Sequence, residues 1–147
     1  MAKPQLSGFG HIDFTVTDGE RSVRWWKDVM GFTQIGSRER PDFKLWSLMD
    51  SSGLVVSVMT HTASDGEPFD ERRVGLDHLS LRVAGRDALE EWVRHLDALG
   101  VEHSGIQEEL GGPLVVFRDP DNIQLELHAL DLGDSIVTDA ISKTQVS

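Results

Sequence analysis

The stretch GHIDFTV at residues 10–16 returns in altered form as DHLSLRV at residues 77–83. Each alternates apolar and polar residues behind an early histidine, as a half-buried strand does. His11 and His78 stand 67 residues apart, Gly31 and Gly100 stand 69 apart, and so do Ser57 and Glu126. A repeat at a nearly fixed offset is a repeated folding unit, and it governs how the rest of the chain is read.

Working outward, each strand-like stretch precedes a helical pattern. In SVRWWKDVMGF, residues 22–32, Val23, Trp26, Val29 and Met30 fall on one stripe and Gly31 ends it. In DALEEWVRHLDALGV, residues 87–101, the stripe is Leu89, Trp92, Val93, Leu96 and Leu99, and Gly100 ends it. Asp18 and Asp87 supply a capping or first-turn acid. Three strand-like stretches then follow in each half: 34–38, 43–49 and 54–59, and again 103–108, 114–118 and 123–128. Asp50–Gly53 and Asp119–Asn122 have the composition of turns between the last two. The chain therefore reads as α+β: two βαβββ modules, residues 8–61 and 74–130, with a linker at 62–73 and a C-terminal tail at 131–147, one domain overall.

Side chains alternate across a strand, so its two faces can be read separately. Ile12, Phe14 and Val16, then Leu79, Leu81 and Val83, then Ile123, Leu125 and Leu127 form apolar faces suited to lie under the two helices. The opposite faces carry His11, Asp13 and Thr15, then His78, Ser80 and Arg82, then Gln124, Glu126 and His128. Two imidazoles at equivalent places and a carboxylate of matching parity suit one divalent metal with positions left open for substrate.

Composition narrows the field. With 14 basic against 25 acidic residues the net charge is −11, which repels nucleic-acid phosphates and anionic lipid. Cysteine is absent, so disulfides, thiolate nucleophiles and zinc–thiolate sites are excluded. No apolar run approaches membrane-spanning length and no secretory leader is evident, so a soluble cytoplasmic protein is expected.

The segments GHIDFTV, the helix ending in MGF, GLDHLSLRV and VFRDPDNIQLELHAL resemble the vicinal oxygen chelate superfamily, which includes glyoxalase I, extradiol dioxygenases, fosfomycin thiol transferases and bleomycin-resistance proteins. They span about residues 8 to 130. The resemblance implies two curved mixed sheets around a metal-centred cleft, with His11, His78 and Glu126 as ligands to one divalent ion: Fe, Mn, Ni, Co or Zn. Ser57 occupies the place of a fourth ligand found in many members, which leaves a three-ligand pattern like that of the dioxygenases. The chain has no tyrosine, which extradiol enzymes commonly use beside the metal, so acid–base work falls to Glu126, His128 and His61. The Lys- and Ser-rich phosphonate loop of a fosfomycin transferase is not evident between Gly105 and Pro113.

The implied activity is that of an enzyme binding vicinal oxygens of a small molecule, either extradiol-dioxygenase-like or a glyoxalase-like lyase or isomerase. Ser57, Asp13, Trp46 and Ser80 are its candidate substrate contacts. The alternative is a metal-free protein that sequesters a drug or metabolite, as bleomycin-resistance proteins do, with Trp46 as its groove aromatic. A homodimer is expected in either case, because each curved sheet needs cover on the face its helix leaves open.

Overall fold

A computed structural model describes residues 4–131 and Gly133. Apart from Asp131 and Gly133, the expected tail lies outside the described residues. The chain divides into two compact units. Among the described residues, one unit holds those up to Phe69 together with Asp119–Asn122, and the other holds Asp70–Arg118 and those from Ile123.

The first unit runs β1 (Ile12–Thr15), α1 (Gly19–Asp28), β2 (Thr33–Glu39), β3 (Phe43–Met49) and β4 (Val55–His61). Its four strands lie in the order β1-β4-β3-β2. β1 and β4 are parallel and the other pairings are antiparallel. Asp18 caps α1 by accepting a hydrogen bond from the Arg21 backbone N–H. Gly31, at φ 73°, reverses the chain after the helix, a conformation that costs other residues a clash at Cβ. The buried face of α1 presents Val23 and Trp26, which meet Phe14, Leu48, Val56 and Val58 in the core. The Trp26 ring stacks on Phe14 with centroids 6.1 Å apart and meets the edge of Phe32 at 5.0 Å.

Trp46 corrects an expectation. It was expected to line a ligand groove, but it pairs with Val58 and shares the helix-facing side of the sheet with Leu48. Its ring is buried against Gly19, in the first turn of α1, where a Cβ would collide with it. The reason is parity: on β3 the residues facing away from the helix are Leu45 and Ser47.

Asp119–Asn122 joins this unit although its neighbours in sequence belong to the second. Asp121 is buried and accepts hydrogen bonds from the Thr17 backbone N–H, the Thr17 hydroxyl and the Arg21 guanidinium, the last at 3.0 Å. Its carbonyl accepts from the Phe69 N–H at 2.8 Å, and the Asn122 side-chain amide donates to the Phe69 carbonyl at 2.8 Å. Asn122 itself adopts φ 67°, which asparagine tolerates better than most residues.

The second unit repeats the plan: β5 (Leu79–Arg82), α2 (Arg86–Ala98), β6 (Gln107–Glu109), β7 (Gly112–Arg118) and β8 (Gln124–His128), in the order β5-β8-β7-β6. Again the first and last strands are parallel. Leu89 and Leu96 of α2 are buried, as are Val115, Phe117, Leu125 and Leu127 of the sheet. β6 is shorter and later than the expected 103–108. His103 makes a single bridge with Phe117, its ring contacts Asp97 at 3.0 Å and accepts from the Gly105 N–H, and Gly105 turns the chain at φ 71°. No helix among the described residues is long and apolar enough to cross a membrane.

The Gly19–Trp46 contact yields a stability test. Gly19→Ala should destabilise the fold by about 1–3 kcal/mol through overpacking. In a denaturant titration that cost should shrink when Trp46→Leu is present, whereas an undiminished cost would place the clash elsewhere.

Candidate functional site

The polar face of the second sheet is centred on Glu126. In the register of β5 and β8, Ser80 lies beside Glu126 and Arg82 beside His128. The intervening Leu125 and Leu127 point into the core. Only 13% of the Glu126 side chain and 15% of His128 remain accessible. The Ser80 hydroxyl donates to Glu126 Oε1 at 2.5 Å, and His128 Nδ1 lies 3.5 Å from the same oxygen. His128 Nε2 is 3.2 Å from the Gly112 carbonyl, which can only accept, so Nε2 carries a proton. Oε2 of Glu126 takes no hydrogen bond among the described residues. A carboxylate held through one oxygen with the other uncommitted is a suitable monodentate metal ligand or proton acceptor.

His78 stands just before β5. Its Nδ1 is 2.6 Å from Asp77 Oδ1. An ionised carboxylate only accepts, so Nδ1 donates and the lone pair of the neutral ring sits on Nε2, the arrangement that orients histidine ligands toward metals. Asp77 is itself approached by the Gln124 amide at 3.5 Å, and Gln124 Oε1 accepts from Arg118 at 2.8 Å. Arg118 is fixed by a bidentate pair with Glu71, at 2.8 and 2.9 Å. The hydrogen bonds from Arg118 hold the Glu71 carboxyl down at about 2. Glu71, Arg118, Gln124 and Asp77 thus form a polar chain ending on His78.

In the first unit His11 is 61% exposed, with Nε2 3.8 Å from Asp13 Oδ1. Asp13 lies beside Ser57 in the β1–β4 register, and Ser57 lies beside Ser47. Ser57 is buried, and its hydroxyl is 3.1 Å from that of Ser47. His61 is exposed at the end of β4, its ring 6.2 Å from Phe43. His11 therefore belongs to one unit, while His78, Ser80, Glu126 and His128 belong to the other. Among the described residues no three His, Cys, Asp or Glu side chains are grouped as a metal would require. Sequence reasoning missed the Glu71–Arg118–Gln124–Asp77 chain. Its one local signal was an acid placed directly before a histidine; the 47 residues from Glu71 to Arg118 leave no pattern.

The model of the Glyoxalase/Bleomycin resistance protein/Dioxygenase superfamily matches residues 8–127. The chain belongs to that superfamily. A curated superfamily relative, provisionally named ring-cleaving dioxygenase MhqA of Bacillus subtilis (strain 168), is 22% identical over 133 residues, which are 88% of this chain and 42% of the relative. The chain thus spans less than half of that protein. A glyoxylase/bleomycin resistance protein/dioxygenase domain from Frankia sp. EAN1pec is 30% identical with a TM-score of 0.81, covering 86% of this chain and all of that one. The fosfomycin resistance protein FosX of Listeria monocytogenes, as a mutant complexed with Mn(II) and 1S,2S-dihydroxypropylphosphonic acid, shares the fold at 23% identity and TM-score 0.68, over 92% of this chain and 99% of its own.

The polar chain predicts a pH signature. The Glu71 value lies below its ordinary 4.5, so the stability contributed by its pairing is complete above about pH 4.5 and is lost as pH falls through about 2. A carbon-detected titration of the Glu71 carboxyl should find a midpoint near about 2, and Arg118→Gln should return it to the ordinary range.

Proposed function

We propose that the chain is a metal-dependent enzyme that binds neighbouring oxygens of a small-molecule substrate at one divalent ion held by His11, His78 and Glu126. The observation that carries this reading is the preparation of two of the three donors. Asp77 fixes the His78 tautomer that leaves a lone pair on Nε2, and the Ser80 hydroxyl binds one oxygen of Glu126. Superfamily membership, and the Mn(II) in the FosX complex, are in keeping with a divalent ion. Two imidazoles and a carboxylate fit Fe, Mn, Co, Ni or Zn.

Such an ion, held by His11, His78 and Glu126, would supply Lewis acidity toward the paired oxygens of the substrate. The protein's part is binding, orientation and proton handling. Glu126 accepts a substrate proton in a lyase or isomerase reaction, and His128 Nδ1, 3.5 Å from its Oε1, is placed to take that proton on. In a ring-cleaving oxygenase, the reading MhqA favours, Glu126 serves only as a ligand. Asp13 and Ser57 face substrate from the first unit, His61 stands at the edge of the same face, and Ser80 acts through Glu126. The metal-free sequestering alternative loses its groove aromatic, since Trp46 packs beneath α1. A homodimer is part of the proposal, because each curved sheet needs cover on the face its helix leaves open.

Removing an outer-sphere partner of a ligand costs about 10–100-fold in metal affinity. His11→Ala, His78→Ala and Glu126→Ala should each exceed that in Mn(II) calorimetry, while the exposed His95→Ala should leave affinity unchanged. Equal losses at His95 and His78 would refute the ligand set. If the site is shared between subunits, mixing His11→Ala with Glu126→Ala chains should restore some binding, and a concentration-independent monomer mass would exclude the dimer. Ser57→Glu should tighten metal binding and close one coordination position to added ligands; unchanged behaviour would show that residue 57 does not face the ion.

A further inference from the structure

A groove of about 280 Å³ lies on the first unit's sheet, lined by Ile35, Gly36, Ser37, Arg38, Leu45 and Ser47. Residues directly opposite each other on antiparallel strands project to the same side. Arg38 lies opposite Leu45, and Gly36 lies opposite Ser47. They therefore share the face of Ser57 and Asp13, away from Trp46 and α1. Across this face runs a row of Asp13, Ser57, Ser47 and Gly36, one from each strand. At Gly36 the row opens, for a Cβ there would meet nothing within 4 Å.

The charge of this groove is unusual for the chain. The protein carries 25 acidic residues against 14 basic ones, and Lys44 on the adjacent strand pairs with Glu39 at 3.9 Å while lying over the far face of Trp46's sheet, 5.0 Å from that ring. Arg38 has neither an ion pair nor a side-chain hydrogen bond among the described residues. A guanidinium without a carboxylate partner, at the rim of a groove that holds Leu45 and the Ser47 hydroxyl on the same face, is matched to a planar anion that it can bind through two parallel N–H groups.

We propose that this groove is a subsite for the carboxylate end of a small organic acid, with Arg38 as its cation, Gly36 as the space for the carbon skeleton and Ser47 as a hydroxyl partner. The proposal deepens the function proposed above, and rests on that reading only for the other end of the molecule. Neighbouring strands are about 4.8 Å apart, so three steps put Gly36 about 14 Å from Asp13 across the sheet. The groove is also just under the ~300 Å³ at which pockets begin to enclose a whole ligand. Both magnitudes describe an elongated substrate, with its paired oxygens toward the β1 edge and its carboxylate toward β2.

The test titrates the full chain, without added metal, with 2-naphthoate and separately with the neutral 2-naphthamide, following backbone amide shifts. The acid should bind at least about tenfold more tightly than the amide and shift Gly36, Ser37 and Ser47. Arg38→Gln should equalise the two affinities with an unchanged melting temperature. Gly36→Val should abolish both, since that position takes a side chain without backbone strain but fills the groove. Equal binding of acid and amide by the unaltered chain, a preference that survives Arg38→Gln, or shifts confined to other residues would each overturn the proposal. None of these readings involves a metal, so loss of the ligand set at His11, His78 and Glu126 would leave this result intact, and the reverse also holds.

Discussion

The parallel pairing of the first and last strands in each unit is the constraint on which the rest depends. Parallel neighbours cannot be joined by a tight turn, so a crossover element must pass over one face of the sheet. In both units that element includes a helix, and the helix claims the apolar side: Phe14, Val56 and Val58 in one, Leu125 and Leu127 in the other. The opposite side is then free to be polar. The same pairing sets which polar residues meet, Asp13 with Ser57 and Ser80 with Glu126. A slip of one residue in the β5–β8 register would turn Glu126 into the core and Leu125 outward.

The two units use this shared scaffold differently. In the first, the residue equivalent to Glu126 is Ser57, and its partner is another hydroxyl, Ser47. That face is neutral at its centre, with a carboxylate at one edge and Arg38 at the other. In the second, a charged centre is held by Ser80 with His128 beside it, and a chain of four polar residues ends on His78. The sequence repeat is therefore a repeat of the fold but not of the chemistry.

Much of this was legible in one dimension because it rests on short periods. The Asp18 cap, the helix stops at Gly31 and Gly100, and the apolar sides of the strands each follow from neighbours within a few residues. Trp46 is set by parity: its neighbours Leu45 and Ser47 face away from the helix, so its own ring falls with Leu48 beneath α1. β6 began late because His103 spends its ring on Asp97 and on the Gly105 backbone. The docking of Asp121 on Thr17 and Arg21, and the Glu71–Arg118 pair, join residues far apart in sequence, and polar contacts of that kind leave no periodicity to read. The equivalence of His11 and His78 and the strand parity of Ser80, Glu126 and His128 can be read from the repeat, whereas the contact of Asp77 and Gln124 cannot, since neither has a counterpart in the first half.

The central claim is that His11, His78 and Glu126 hold one divalent ion. A crystal structure of the protein grown with Mn(II), with data collected near the manganese absorption edge, tests it directly. The account predicts one strong anomalous peak for each His11, bonded to that imidazole, to a His78 imidazole and to a Glu126 carboxylate. A peak bonded to other side chains, or no peak, would contradict it.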